Sequence, residues 1–304
     1  MGHEDDLRSF ELAAGEGAAA DIRRIALGRA EAALEELDAD NRDLAGAIHG
    51  ARKDLKKLRA LLRLVKDEIG RDTYRVESRR YRDAGRLLAG SRDAEAKLET
   101  LAALRRRFGE ELLAGDAERW QAVLESEREE ITTAAGDADG KIGEARRAIE
   151  EGHDRIGDWP LGTGSWKLIG PGLGESYRQS RRALKRTLAD PEADDVHELR
   201  KRSKDLWYQL RIVRGAWPAL LGATADQVHD LTDLLGDHHD LAVLGEDLAG
   251  RDGIGPTELL ASLIQLRQRE LLSGALDLGK RIYAEKPNTF QRRLKAYWSA
   301  WRAG

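Results

Sequence analysis

Between Ile48 and Val65, apolar residues fall at Ile48, Ala51, Leu55, Leu58, Leu62 and Val65. At about 100° per residue that spacing puts them on one face of a helix. The opposite side is a polar stripe of His49, Arg52, Lys53, Lys56, Arg59 and Arg63. The stretch recurs without a gap 148 positions later, at Val196–Val213, where His197, Arg200, Lys201, Lys204 and Arg211 fill the same stripe. Eight of eighteen aligned positions are identical and five of those eight are His, Arg or Lys, so what repeats is chiefly cationic. Like charges one turn apart repel along a helix. Almost no carboxylate interrupts either column, so carboxylates from neighbouring helices or an outside anion must offset the repulsion.

The remaining pattern is helical, punctuated by Gly, Pro and Asp. In the first half it predicts helices over residues 18–37, from about 42 to Gly70, 72–88, 94–108, about 116–135 and 137–150. The run GDWPLGTGSWKLIGPGLG at 157–174 argues against a long helix and predicts a linker, held in place by Trp159 and Trp166. A basic row of Arg178, Arg181, Arg182 and Lys185 follows on a helix over 175–189, and Pro191 opens the second signature helix. Further helices are expected over 219–235, from Leu241, over 256–274, 275–285 and 288–302, with a break at Gly236-Asp237-His238-His239-Asp240. LLGDHHDLAVL stands at nearly the same distance from its signature helix as LAGSRDAEAKL does from the first, so the repeat spans several helices. The predicted fold is all-α: two tandem antiparallel four-helix bundles, 1–155 and 175–304, joined by a Gly/Pro/Trp linker at 156–174 and related by an approximate two-fold. The two basic stripes would then line a shared central cleft.

Composition narrows the function classes. Charged residues make up 35% and aromatics 5% of the 304 residues, a balance of long helices and not of sheets. Cysteine is absent, which removes disulfides and thiolate metal sites. No apolar run reaches the roughly 18–20 residues that cross a bilayer, and Met1–Glu11 is polar and acidic. The expectation is a cytoplasmic protein without a membrane partner. The net charge of −4 argues against a general nucleic-acid binder, so any anion site is a local concentration of cations.

His-x-x-Arg-Lys-x-x-Lys-x-Leu in both halves, with VHELRKRSKDLWYQLR and LLGDHHDLAVL in the second, resembles the CHAD family, the histidine-bearing α-helical domain. The resemblance covers roughly Ala18 to Trp301. It implies two four-helix bundles with a basic cleft that binds inorganic polyphosphate without catalysis or cofactor, and association with polyphosphate granules. The residues it assigns to the polyanion are His49, Arg52, Lys53, Lys56, Arg59 and Arg63, then His197, Arg200, Lys201, Lys204 and Arg211, with Arg178, Arg181, Arg182 and Lys185 on the preceding helix. Arg23, Arg24 and Arg82, on helices flanking the first signature, complete the expected set. Gly50 departs from the family pattern, which has an acidic or larger residue after the histidine, and the first half carries fewer cations before its signature.

Other readings compete. A basic stripe is ordinarily a solvated or salt-bridged face, but two stripes repeated in register around histidine favour a ligand. A metal phosphohydrolase of the HD type would draw on His229-Asp230 and His239-Asp240, with His197 and Asp277 as outer ligands. Metal sites want converging carboxylates and histidines, and Arg or Lys one turn away would repel the ion. No P-loop, Ser-His-Asp grouping or other nucleophile motif is present, so no enzymatic activity is expected. A scaffold for acidic proteins, or weaker non-specific RNA or DNA binding through the same cleft, completes the alternatives. Histidine, with an ordinary pKa of about 6.5, gains charge beside phosphates. Polyphosphate titrated at pH 6 should therefore bind more tightly than at pH 8, and equal affinities would remove His49 and His197 from the anion contacts.

Overall fold

The 48–65 pattern folds as the sequence predicts. In the computed structural model, which describes residues 9–14, 17–38, 44–88, 91–133, 138–162, 164–251 and 255–303, the first signature lies on a helix, Leu44–Leu64. Its periodic apolar residues are sealed: Ala51, Leu58 and Leu62 are fully buried and Leu55 is nearly so. Each buried leucine contributes about 1.5–3 kcal/mol relative to exposure, so this face fixes the helix's orientation.

Among the described residues twelve α-helices and no strand are found. In chain order they are α1 (Ala18–Glu36), α2 (Leu44–Leu64), α3 (Lys66–Ile69), α4 (Arg71–Leu87), α5 (Ser91–Phe108) and α6 (Glu110–Thr133). Then come α7 (Ala138–Arg155), α8 (Trp166–Ala189), α9 (Ala193–Ile212), α10 (Pro218–Ala249), α11 (Glu258–Ile282) and α12 (Pro287–Ala303). Gly70, at φ +81°, makes the turn between α3 and α4 in the left-handed region that favours glycine.

The chain divides into two compact units that cut across the sequence repeat. One holds Met1–Leu88, Gly140–His229 and Lys280–Gly304, and therefore both signature helices, α2 and α9. Its core gathers Ile22 and Ile25 of α1, the leucines of α2, Tyr81, Trp159, Tyr177 and Phe290, with Tyr177 stacked on Phe290 at 4.0 Å between ring centroids. The other unit holds Ala89–Asp139 and Asp230–Gly279. There α5 packs on α6, and Trp120 is enclosed with Leu101, Leu104, Leu124, Leu244 and Leu260.

Three predicted boundaries need correction. The linker expected over 156–174 is helical from Trp166 onward, so α8 runs through Gly170-Pro171-Gly172. Ser165 caps it by accepting from the Lys167 amide at 3.3 Å. The glycine is needed for contact, not for a turn. A Cβ on Gly172 would lie 2.0 Å from the Leu64 carbonyl oxygen, so α8 meets α2 backbone to side-chain-free backbone. The break expected at Gly236–Asp240 is absent, because α10 continues through it to Ala249; Leu231, Leu235, Leu241, Leu244 and Leu248 keep an apolar row buried on both sides of the glycine. Likewise α11 continues through Gly274, with Leu271 and Ala275 both buried.

Gly172→Ala sets a helix-propensity gain of about 1 kcal/mol against a backbone collision that the helix pair can relieve only by separating. Overpacking of this kind costs about 1–3 kcal/mol or more, and the collision should win. Chemical denaturation should show Gly172→Ala destabilised by about 2 kcal/mol, with Gly157→Ala, where a Cβ meets nothing within 4 Å, near wild type.

Candidate anion-binding site

Burying the apolar faces of α2 and α9 brings the two signature helices into contact, running antiparallel. Arg63 Nε lies 3.1 Å from Asp205 Oδ2, while nearer the N-terminal end of α2 the Ala60 carbonyl accepts from Gln209 Nε2 at 3.2 Å. Asp205 also has Arg202 at 3.7 Å, and Arg202 and Lys201 both reach Glu198, at 2.5 and 3.4 Å. Burial pushes the Asp205 carboxyl above its ordinary range, against the downward pull of Arg63, Arg202, Arg59 and Lys201. Burial likewise lowers the pKa of Arg59, reinforced by neighbouring Arg63. This end of the helix pair is crowded with cations and only partly compensated.

The other end is built differently. Asp54, on α2, is buried between Arg29 of α1 at 3.1 Å and Lys57 at 2.6 Å. Desolvation lowers the Lys57 pKa, with Asp54 pulling it back. Removing one member of such a group leaves an uncompensated buried charge, which costs about 3–5 kcal/mol. Residues 9–14 cross here as an extended strap. The Leu12 amide donates to the Ile212 carbonyl at 2.9 Å, Ala13 to Asp21 at 2.9 Å, and Arg24 Nη2 to the Glu11 carbonyl at 2.9 Å. The strap seats Phe10, 6% exposed, beneath two cations: Arg211 lies 5.7 Å and Lys57 5.9 Å from its ring centroid. Arg211 also lies 5.3 Å from the Trp207 ring and Lys204 4.8 Å from it. Burial lifts the neighbouring Tyr208 hydroxyl to about 12.

The expected site residues are thus distributed unevenly. On α2 and α9, Arg52, Lys53, Arg59, Arg200 and Arg211 make no ion pair among the described residues, whereas Arg63 is paired with Asp205 and Lys201 with Glu198. His49 is half-buried, and Lys56 and His197 are exposed. On α8, Arg178 is paired with Glu175 and Arg181 donates to the Tyr283 carbonyl at 3.0 Å, while Arg182 and Lys185 are exposed without an ion pair among the described residues. Arg23 donates to the Trp159 carbonyl at 2.6 Å, Arg24 holds the strap and Asp21, and Arg82 pairs with Asp83 at 2.9 Å. Those three are spent on internal contacts. Gly50 lies against the Glu36 side chain, at whose carboxylate a Cβ would point.

Sequence reading missed Asp54, Lys57, Asp205, Arg202 and Phe10. The signal for four of them lay in the aligned copies, where Asp54 stands opposite Arg202 and Lys57 opposite Asp205, an exchange of sign at both positions. The carboxylates that seemed absent from the columns are present at their flanks.

The histidine-aspartate doublets do not converge. His229 packs edge-on against Trp207 at 4.3 Å, and His238, His239 and Asp240 lie inside α10 with no turn to cap. Burial, then His239, lowers the His238 pKa. Among the described residues no group of three or more His, Cys, Asp or Glu side chains could hold a metal, and no helix is long and apolar enough to cross a membrane.

A family model described as the CHAD domain matches residues 23–249. The crystal structure of the CHAD domain from the plant Ricinus communis superposes with a TM-score of 0.53 at 18% identity, covering 91% of this chain and 94% of that one. At that identity the likeness is one of fold. No functionally curated protein matches the chain. With well over half its length matched by the family model, and with an all-helical fold shared with that plant domain, the chain belongs to the CHAD family.

Proposed function

We propose that the protein binds inorganic polyphosphate, without catalysis, through the cations of α2 and α9. The observation that carries this reading is the set Arg52, Lys53, Arg59, Arg200 and Arg211, which stand on two packed helices without an ion pair among the described residues. Membership of a family of polyphosphate binders supports it. Polyphosphate offers rows of charged oxygens and no bases. Forked arginines suit two oxygens at once, and lysines follow as mobile point charges. The rings on α9, Trp207 and Tyr208, are buried, so they offer no platform for stacking bases as a single-strand nucleic-acid groove would.

The internal repeat is read here as a pseudo-two-fold passing through the α2–α9 crossing. Arg63 meets Asp205, whose counterpart is Lys57, and Arg211, the counterpart of Arg63, shares the Phe10 ring with Lys57. Such an axis would set both basic stripes on one side of the helix pair, as the lining of a cleft, and would relate the halves 1–155 and 175–304. The expected cellular setting is the cytoplasm, at polyphosphate granules.

Lys56→Glu combined with Lys204→Glu reverses one charge at the same position of each copy. Titration with polyphosphate should show affinity reduced at least about tenfold, with helical content by circular dichroism unchanged. Retained affinity would place the site off these helices.

A further inference from the structure

The two ends of the α2–α9 pair hold their arginines by different physics, and the difference bears on where a polyanion is gripped. At one end Arg63 and Arg202 are met by Asp205, and Arg202 and Lys201 by Glu198. Carboxylates position these cations, but they also cancel part of the charge an incoming phosphate would feel. At the other end the local carboxylate, Asp54, is taken up by Arg29 and Lys57. Arg211, the repeat counterpart of Arg63, has no ion pair among the described residues and is held over the faces of Phe10 and Trp207. Lys204 shares the Trp207 face. An aromatic face orients a cation through its quadrupole and leaves the full positive charge in place. A cation positioned this way is preorganised yet unneutralised.

Phe10 reaches this place only because the strap is fastened along its length. Arg24, Asp21 and Ile212 bind it at Glu11, Ala13 and Leu12; Arg214 pairs with Glu11 at 2.5 Å, and Arg302 donates to the Ala14 carbonyl at 2.8 Å. Arg24 therefore acts on the site at one remove, by seating Phe10.

Resting on the polyphosphate reading, we propose that the site is asymmetric: Phe10 is a positioning residue for Arg211, and the Arg211 end grips polyphosphate more tightly than the Arg63 end. The test is polyphosphate titration of the full-length protein carrying Arg211→Ala, Arg63→Ala, Phe10→Leu, or Phe10→Leu together with Arg211→Ala, each checked by thermal unfolding. Arg211→Ala should weaken binding about tenfold and Arg63→Ala no more than about threefold, because the buried Asp205 carboxyl, once its closest partner is gone, takes up a proton and so offsets the positive charge removed. Phe10→Leu keeps an apolar side chain under the strap but removes the ring. It should weaken binding about fivefold in the wild-type background and have no further effect once Arg211 is gone, a non-additivity that a loss of packing alone would not produce. Equal losses for Arg63→Ala and Arg211→Ala, or wild-type affinity for Phe10→Leu in a folded protein, would overturn the asymmetry while leaving polyphosphate binding intact. Wild-type affinity in every variant would overturn the asymmetry and the choice of site together.

Discussion

Contact between α2 and α9 is the constraint on which everything else depends. Each helix has an apolar face that is buried, Leu58 and Leu62 on one and Leu206 and Leu210 on the other. That burial fixes where the cationic sides of both helices must go. Two unit charges about 4 Å apart interact by about 4 kcal/mol at an effective dielectric near 20, and by about 1 kcal/mol in water. Several leucines at about 1.5–3 kcal/mol each can hold such columns near one another, provided the worst clashes are relieved. Relief comes from Asp205 and Asp54, one on each helix and both at the edge of the contact. Arg52, Lys53, Arg59, Arg200 and Arg211, on the same two helices, make no ion pair among the described residues.

A binder of a flexible polyanion needs charge that is held in position but not cancelled. Carboxylate partners give position and remove charge; aromatic faces give position alone. Both devices occur on this one helix pair, acting on Arg63 and Arg211, which the sequence repeat makes counterparts. The strap of residues 9–14 thereby sets the Phe10 ring against Arg211, while Asp205 meets its counterpart Arg63.

Much of the fold was legible in the sequence because helix periodicity and the 148-residue offset are strong, local signals. The signature helices and the all-α class follow from them, although the helix expected to run to Gly70 ends at Leu64 and the short α3 fills the stretch beyond. What could not be read depends on long-range contact. Gly170-Pro171-Gly172 has the composition of a turn, yet Gly172 lies inside a helix because the Leu64 backbone passes where a side chain would be. Gly236 has helix-breaking character that a buried leucine row on both sides outweighs. Of the anion site, the identity of the basic residues was visible but their degree of neutralisation was not. Arg24 and Arg52 look alike in a stripe; one is tied to Asp21 and the strap, the other makes no ion pair among the described residues. Phe10 carried no signal, since it belongs to no periodic element.

Counterions released when a polyanion takes their place on these columns make affinity depend steeply on salt. Polyphosphate titrations of the wild-type protein across potassium chloride concentrations should give a straight line of log K against log salt, with a slope near −0.7 per phosphate contact. Five or more contacts predict a slope of about −3.5 or steeper. A slope near zero would mean that the protein's own carboxylates already neutralise the columns and that no polyanion is held by them.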